Sequence, residues 1–359
     1  MLCIAAFIVF AILGVFSATH RRTAVKAWKC VLNRVTFRPC DINLGKEVKG
    51  KLVAKMVFAF PGGEKMFGVV IDIVAFLFVI LSIWSVWAVA NSSLNLWIYD
   101  TCDPVAQEGC SLAGDSCTVG LESLSLVDAV RDGQILAYVA QPFTQFGETL
   151  SRIPDRLKAW DPTAFTGSGS TYKESYDASK PTVLEIIDPL CQYCRDLYRR
   201  GDRAGLSSRV NLTYILYPIP SHEKKGEYRF KHSYEIAQYV EFIKRYKNKD
   251  GISMDWLFLR ELFTGKDEKG IEYQEAFKSI YTDDDIFGAI HHILKKIGFT
   301  EDDLEVIYAQ YNSPEIVSEL MRQRSVVEGQ IRTIKIPTVL APGRRYDRLP
   351  SEEQLRHIP

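Results

Sequence analysis

The sequence lacks net charge: 44 Lys and Arg stand against 44 Asp and Glu in 359 residues. That balance offers a polyanion no general attraction, so no nucleic-acid partner is implied. Histidine is scarce, at 6. His20 lies in a basic loop that holds no other histidine, and His291 and His292 are neighbours on a helical stretch, where adjacent side chains point apart. No metal site and no cofactor is expected from them. The chain also lacks a positive charge ahead of its first apolar run, Leu2 to Ser17; Arg21 and Arg22 follow it instead. A secretory signal carries its charge in front, so the run reads as a membrane helix whose start faces out, with a re-entrant segment as the alternative because it is short.

The averages hide an apolar, basic N-terminal third joined to a polar C-terminal half. Phe67 to Ala90 is a clear membrane span, with Trp84, Trp87 and Trp97 towards its far end and Asp72 as its only charge. Asp72 lies near the basic end, within reach of headgroups, although an intramembrane carboxylate is also a functional candidate. The loop between the two runs carries eleven Lys and Arg against Asp41, Glu47 and Glu64. Short loops so biased stay in the cytoplasm. After Trp97 the balance reverses, with Asp100, Asp103, Glu108, Asp115 and Glu122 before the first basic residue, Arg131. The expected layout is therefore a membrane helix over 1–19, a cytoplasmic loop over 20–66, a second span over 67–90, an extracytoplasmic linker over 91–170 and a folded domain over 171–359.

The 8 cysteines fall into groups. Cys30 and Cys40 sit in the cytoplasmic loop, where a reducing pool keeps them as thiols. Cys102, Cys110 and Cys117 lie in a Gly-, Asp- and Ser-rich stretch that suits an irregular loop stapled by one disulfide. Three cysteines leave one over. Either it is a spare buried thiol beside a structural Cys102–Cys110 or Cys110–Cys117 bridge, which the spacing favours, or it exchanges with the last group, Cys191 and Cys194.

That last group organises the chain. Thr182 to Ile187 is a β-branched apolar run between Pro181 and Pro189, the pattern of a buried strand. From Cys191 the spacing turns helical, with Leu197 and Tyr198 on the face of Cys194. A Cys-x-x-Cys pair at a strand-to-helix junction places the first sulfur among free amides at the positive end of a helix, which stabilises its thiolate. Cys191 is then the nucleophile, and Cys194, one turn on, the resolving thiol. Glu185, in the strand, could pass a proton to or from Cys194. Zinc sites use the same cysteine spacing, so a binding module that holds a metal or a protein partner without turnover is the alternative.

Glu185 six residues before Cys191, Asp188 three before it, the sequence Cys191-Gln192-Tyr193-Cys194, and Ile336-Pro337-Thr338 far downstream together resemble the DsbA-like branch of thioredoxin-fold thiol-disulfide oxidoreductases. The resemblance covers roughly 172–359. It implies an α/β thioredoxin-like fold with a helical insertion over about 222–330, Pro337 as a cis-proline, and Ile336 with its backbone facing the cysteine pair. It also implies client binding around Ile336, Tyr193 and Gln192, client proteins with thiols or disulfides, and room for a membrane redox partner. Gln192 departs from the Pro or Gly commoner at that place, which leaves the redox potential open.

The remaining signals fit that order of elements. Val210 to Tyr217 alternates as a strand, Trp160 to Ser170 has the composition of a flexible linker, and Thr282, Thr300, Ser313 and Ser351 each open a helix. Tyr217 and Tyr346 are candidates for an apolar surface around Cys191, or ordinary core residues. Arg195, Arg199 and Arg200 follow the nucleophile closely and could lower the Cys191 pKa, and Tyr193 resembles the second dipeptide position of extracytoplasmic isomerases and oxidases, a resemblance that implies an oxidising or isomerising protein.

Overall fold

The structure, a computed structural model, describes residues 64–99, 101–102, 104, 117–118, 124–167, 169–221 and 226–358, together with 25, 28, 29 and 50. The first apolar run and nearly all of the basic loop lie outside the described residues. The chain forms two compact units, Met1–Asn91 and Ser92–Pro359. Helix α1 (Glu64–Tyr99) runs through that division, and its stretch Val69–Tyr99 is long and apolar enough to cross a membrane. Only 11% of its most apolar window is buried.

The second unit begins with β1 (Cys117–Thr118) and the helices α2 (Leu126–Arg131), α3 (Ile135–Ser151) and α4 (Ile153–Leu157). By sequence, Leu124 to Tyr138 and Phe143 to Trp160 read as two helices, the second broken at Pro154. The first break instead falls at Gly133, whose φ of +67° suits a residue without a Cβ, and α3 continues through Pro142.

The central sheet is built from β2 (Thr182–Ile187), β3 (Asn211–Leu216), β5 (Thr338–Ala341) and β6 (Arg344–Tyr346), in the order β3-β2-β5-β6. β2 and β3 are parallel, with Glu185 opposite Tyr214; β5 runs antiparallel to β2, with Glu185 opposite Val339, and β6 returns antiparallel to β5. Every residue of β2 and β3 is buried, as expected for strands covered on both faces, which is why they read as near-continuous β-branched and apolar runs. A parallel pair needs a crossover, supplied by α5 (Gln192–Arg203) and α6 (Leu206–Arg209). The edge strand β3 is met by a side chain: Gln323 Oε1 accepts the Leu216 amide at 2.9 Å while its Nε2 donates to Glu241 at 2.8 Å.

Between β3 and β4 (Lys335–Ile336) lies the helical insertion: α7 (Ser233–Ile243), α8 (Met254–Thr264), α9 (Tyr273–Ser279), α10 (Asp283–Ile297), α11 (Glu301–Gln310) and α12 (Pro314–Ser325), which passes into a π-helical turn, Val326–Ile331. Thr282 and Thr300 form complete capping boxes with Asp285 and Asp303, and Ser351 does so with Gln354 at the start of α13 (Glu352–Arg356). Trp256, Phe258, Tyr239 and Phe277 bring the insertion into one continuous core with β2 and β3.

The stretch 160–170, expected as a flexible linker, is anchored at its start by Trp160, with Pro162 also buried and most of the other described residues exposed. Trp160 is 4% exposed in the main core, its carbonyl accepts the Gly343 amide at 2.7 Å, and Lys158 and Arg345 sit over its ring. One buried indole outweighs the Gly-Ser composition around it, because an aromatic side chain contributes a large apolar area. By contacts, Trp160 falls in the same unit as the central sheet, Ser92–Pro359.

Candidate functional site

β2 delivers the chain through Asp188, Pro189 and Leu190 to Cys191, which occupies the N-cap of α5 with extended backbone (φ −74°, ψ 121°). The first amides of a helix have no intrahelical partner. Here the amides of Tyr193 and Cys194 point at the Cys191 sulfur. Cys191 and Cys194 carry free thiols and are buried, at 0% and 1% exposure. The Ile336–Pro337 bond is cis, and the Ile336 carbonyl oxygen lies 3.7 Å from Cys191 Sγ.

Burial on its own would raise the Cys191 pKa, yet it falls well below the ordinary thiol value. The thiols of Cys117 and Cys194 and the amides of Cys194 and Tyr193 all donate to the sulfur and outweigh the desolvation. Cys194 moves the opposite way, raised by burial and by donating to the Cys191 thiolate. The three arginines expected to lower Cys191 are engaged elsewhere. Arg195 and Arg199 bind Glu272, the latter at 3.0 Å, and Arg200 donates to the Pro350 carbonyl at 3.1 Å.

Two buried carboxyls stand near the junction. Asp188 accepts from the Leu190 amide at 2.8 Å, Ser233 Oγ at 2.6 Å and the Ile219 amide at 2.8 Å, and its own amide meets Cys194 Sγ at 3.4 Å. Burial pushes its pKa up to about 7 against those hydrogen bonds, with the Cys191 charge adding to the rise. Glu185, fully buried in β2, is raised to about 7 by desolvation, with Lys173 acting in opposition. The carboxylate whose charge the thiols feel most directly is thus Asp188, three residues from Cys191. Gln274 on α9 pins the turn from the other side, its Nε2 donating to the carbonyls of Pro189 and Cys191, both at 3.0 Å. No sequence signal marked Gln274 or Ser233 for this place.

β1 completes the site. It pairs antiparallel with β4, Cys117 opposite Ile336 and Thr118 opposite Lys335. Cys117 carries a free thiol, is 5% exposed, and lies close enough to Cys191 for each sulfur to shift the other's pKa. Donation to Cys191 and burial raise its pKa. Cys102 is disulfide-bonded. Among the described residues of the 102–117 stretch Cys117 is the free thiol, and it lies beside the nucleophile, where the sequence favoured a spare buried thiol over one that exchanges with Cys191.

The residues expected to meet a client are distributed unevenly. Gln192 is exposed beside Cys191, Tyr193 is half-buried against the core, and the Ile336 side chain is fully buried. Tyr217 is core, with its hydroxyl donating to Glu328 at 3.0 Å, and Tyr346 lines a separate cavity of about 270 Å³ with Tyr99, Arg152 and Arg332. Among the described residues no group of three or more His, Cys, Asp or Glu is placed to hold a metal ion.

The strand order β3-β2-β5-β6, with a cysteine pair on the helix after β2 and a cis-proline before β5, defines a thioredoxin-like α/β fold with inserted helices. No protein-family model matches the chain, and no curated protein matches it. Among solved structures it is similar to the thiol-disulfide exchange protein alpha-DsbA2 of Wolbachia pipientis, at 17% identity over 65% of this chain and 96% of that one, with a TM-score of 0.35. A thioredoxin-like oxidoreductase of Silicibacter pomeroyi matches at 17% identity over 55% and 94%, TM-score 0.34. ScsC of Proteus mirabilis, in a transitional conformation, matches at 15% identity over 64% and 95%, TM-score 0.29.

Proposed function

We propose that the chain is a membrane-anchored thiol-disulfide oxidoreductase that works outside the cytoplasm on client proteins. The observation that carries the reading is the Cys191 sulfur at the N-cap of α5, receiving the Tyr193 and Cys194 amides while the buried Cys194 keeps its proton. A client disulfide is attacked by the Cys191 thiolate, one client sulfur leaves with a proton, and Cys194 then displaces the other from the mixed disulfide; run backwards, the same steps oxidise a client dithiol. Asp188 and Glu185 are the buried carboxyls available to hold the proton that Cys194 gives up. A thiolate favoured in the reduced form is the condition for donating disulfides, so the direction we assign is oxidation or isomerisation.

With Cys117→Ala also in place, so that no other described thiol lies beside Cys191, Cys194→Ala should leave Cys191 able to attack but unable to release, and client proteins accumulate as thiol-sensitive adducts on it. If no adduct formed, and the Cys191→Ser/Cys194→Ser protein matched the parent in exchange with glutathione, the assignment would be abandoned.

A further inference from the structure

The Cys117 thiol is unusual in its company. It sits on a strand paired with Ile336, the residue whose carbonyl is 3.7 Å from Cys191 Sγ, and so stands beside Cys191, whose sulfur and its own shift each other's pKa. An extended peptide recognised at the edge of a short strand docks by backbone pairing with that edge. At the Ile336 edge the pairing is already made from within the chain, by the segment that brings a thiol to the nucleophile.

We propose that Cys117 is a third redox cysteine, presented on an internal strand in the client's place, which takes Cys191 into an intramolecular disulfide and thereby shields the pair until a client displaces the strand. The proposal rests on the oxidoreductase reading above. Starting from the oxidised Cys191–Cys194 pair, the Cys117 thiolate attacks Cys191 Sγ. The Cys117–Cys191 bond forms, the Cys191–Cys194 bond breaks, and Cys194 leaves as a thiolate that takes up the proton Cys117 lost. One disulfide and one thiol stand on each side, so no outside oxidant is needed.

The protonation of Cys117 depends on the state of its neighbour. With Cys191 reduced, Cys117 is held as a thiol because it donates to the Cys191 thiolate. Once Cys191 is oxidised that acceptor and its charge are gone, and burial and the Asp188 charge are the influences left against ionisation, with Arg229 acting in favour. Cys117 is therefore easier to ionise in the state in which Cys191 can be attacked than in the reduced state.

The test uses the full chain in detergent with Cys194→Ala. Oxidised glutathione supplies the disulfide: Cys191 attacks it and loses one glutathione, and Cys117 expels the second. The expected product is a Cys117–Cys191 linked peptide by mass spectrometry, with two free thiols fewer, and little glutathione retained. Adding Cys117→Ala should abolish that peptide and raise the yield of glutathione or client adduct on Cys191 several-fold. The proposal is overturned if Cys194→Ala retains glutathione on Cys191 with no linked peptide, and Cys117→Ala leaves the adduct yield unchanged. Failure of the underlying reading looks different: Cys191 then takes up no glutathione in any variant.

Discussion

At Cys191, burial and hydrogen bonding act in opposite directions, and the hydrogen bonds prevail because four donors converge on one sulfur. Removing a donor should therefore weaken the thiolate: Cys117→Ala is expected to raise the Cys191 pKa, read from thiolate absorbance against pH. The carboxyls make a second prediction. Asp188 and Glu185 rise from 3.8 and 4.5 to about 7 in the folded protein. Between those limits the folded state holds a proton that the unfolded state has released, so stability is greatest at the acid end of the window and falls as pH rises towards 7, at about 1.4 kcal/mol per pH unit for each group, then levels off. Denaturant midpoints measured from pH 4 to 8 should decline across that window, and less steeply in Glu185→Gln. A midpoint that rose with pH over the same range would contradict the assignment of raised values.

The strand-helix junction depends on elements distant in sequence. α9 contributes Gln274, whose side-chain amide donates to the carbonyls of Pro189 and Cys191; Gln274→Ala removes both bonds and takes that donor from the Pro189 carbonyl, while the Cys191 carbonyl still accepts from the Cys194 and Arg195 amides. We expect about 1–3 kcal/mol of lost stability with little change in the denaturant slope, against roughly ±0.5 kcal/mol for the exposed Gln192→Ala. Equal midpoints for the two variants would show that the turn is held without Gln274. β2, α5 and the capped helices were legible in the sequence because their signals are local: a β-branched run between prolines, a change of period at Cys191, and Thr282, Thr300 and Ser351 each three residues before an acceptor. Gln274, Ser233 and the two-residue β1 were not, because each acts on residues far along the chain and leaves no periodic trace. Trp160 shows the same limit, since composition describes the neighbours of a side chain in sequence and burial depends on its neighbours in space.

On the scale of the whole chain, charge and chemistry point to the same side of a membrane. The stretch before α1 is dense in Lys and Arg, and the stretch after it begins with acids. Val69–Tyr99 has the length and apolar character to separate them. In the topology we propose, positive charge retained in the cytoplasm would place Ser92 onward outside, where disulfides persist, and the disulfide at Cys102 would suit that placement. Cys30 and Cys40 would remain among reductants, apart from the redox pair. The arrangement can be read directly. Glu268 is exposed in the loop between α8 and α9, so Glu268→Cys offers a reporter distant from the buried thiols. A membrane-impermeant maleimide added to intact cells should modify that cysteine and spare Cys30 and Cys40 until the membrane is permeabilised. Labelling of Cys30 and Cys40 alone would place Cys191 in the cytoplasm, where a reducing pool holds the pair as thiols and client reduction becomes the expected direction.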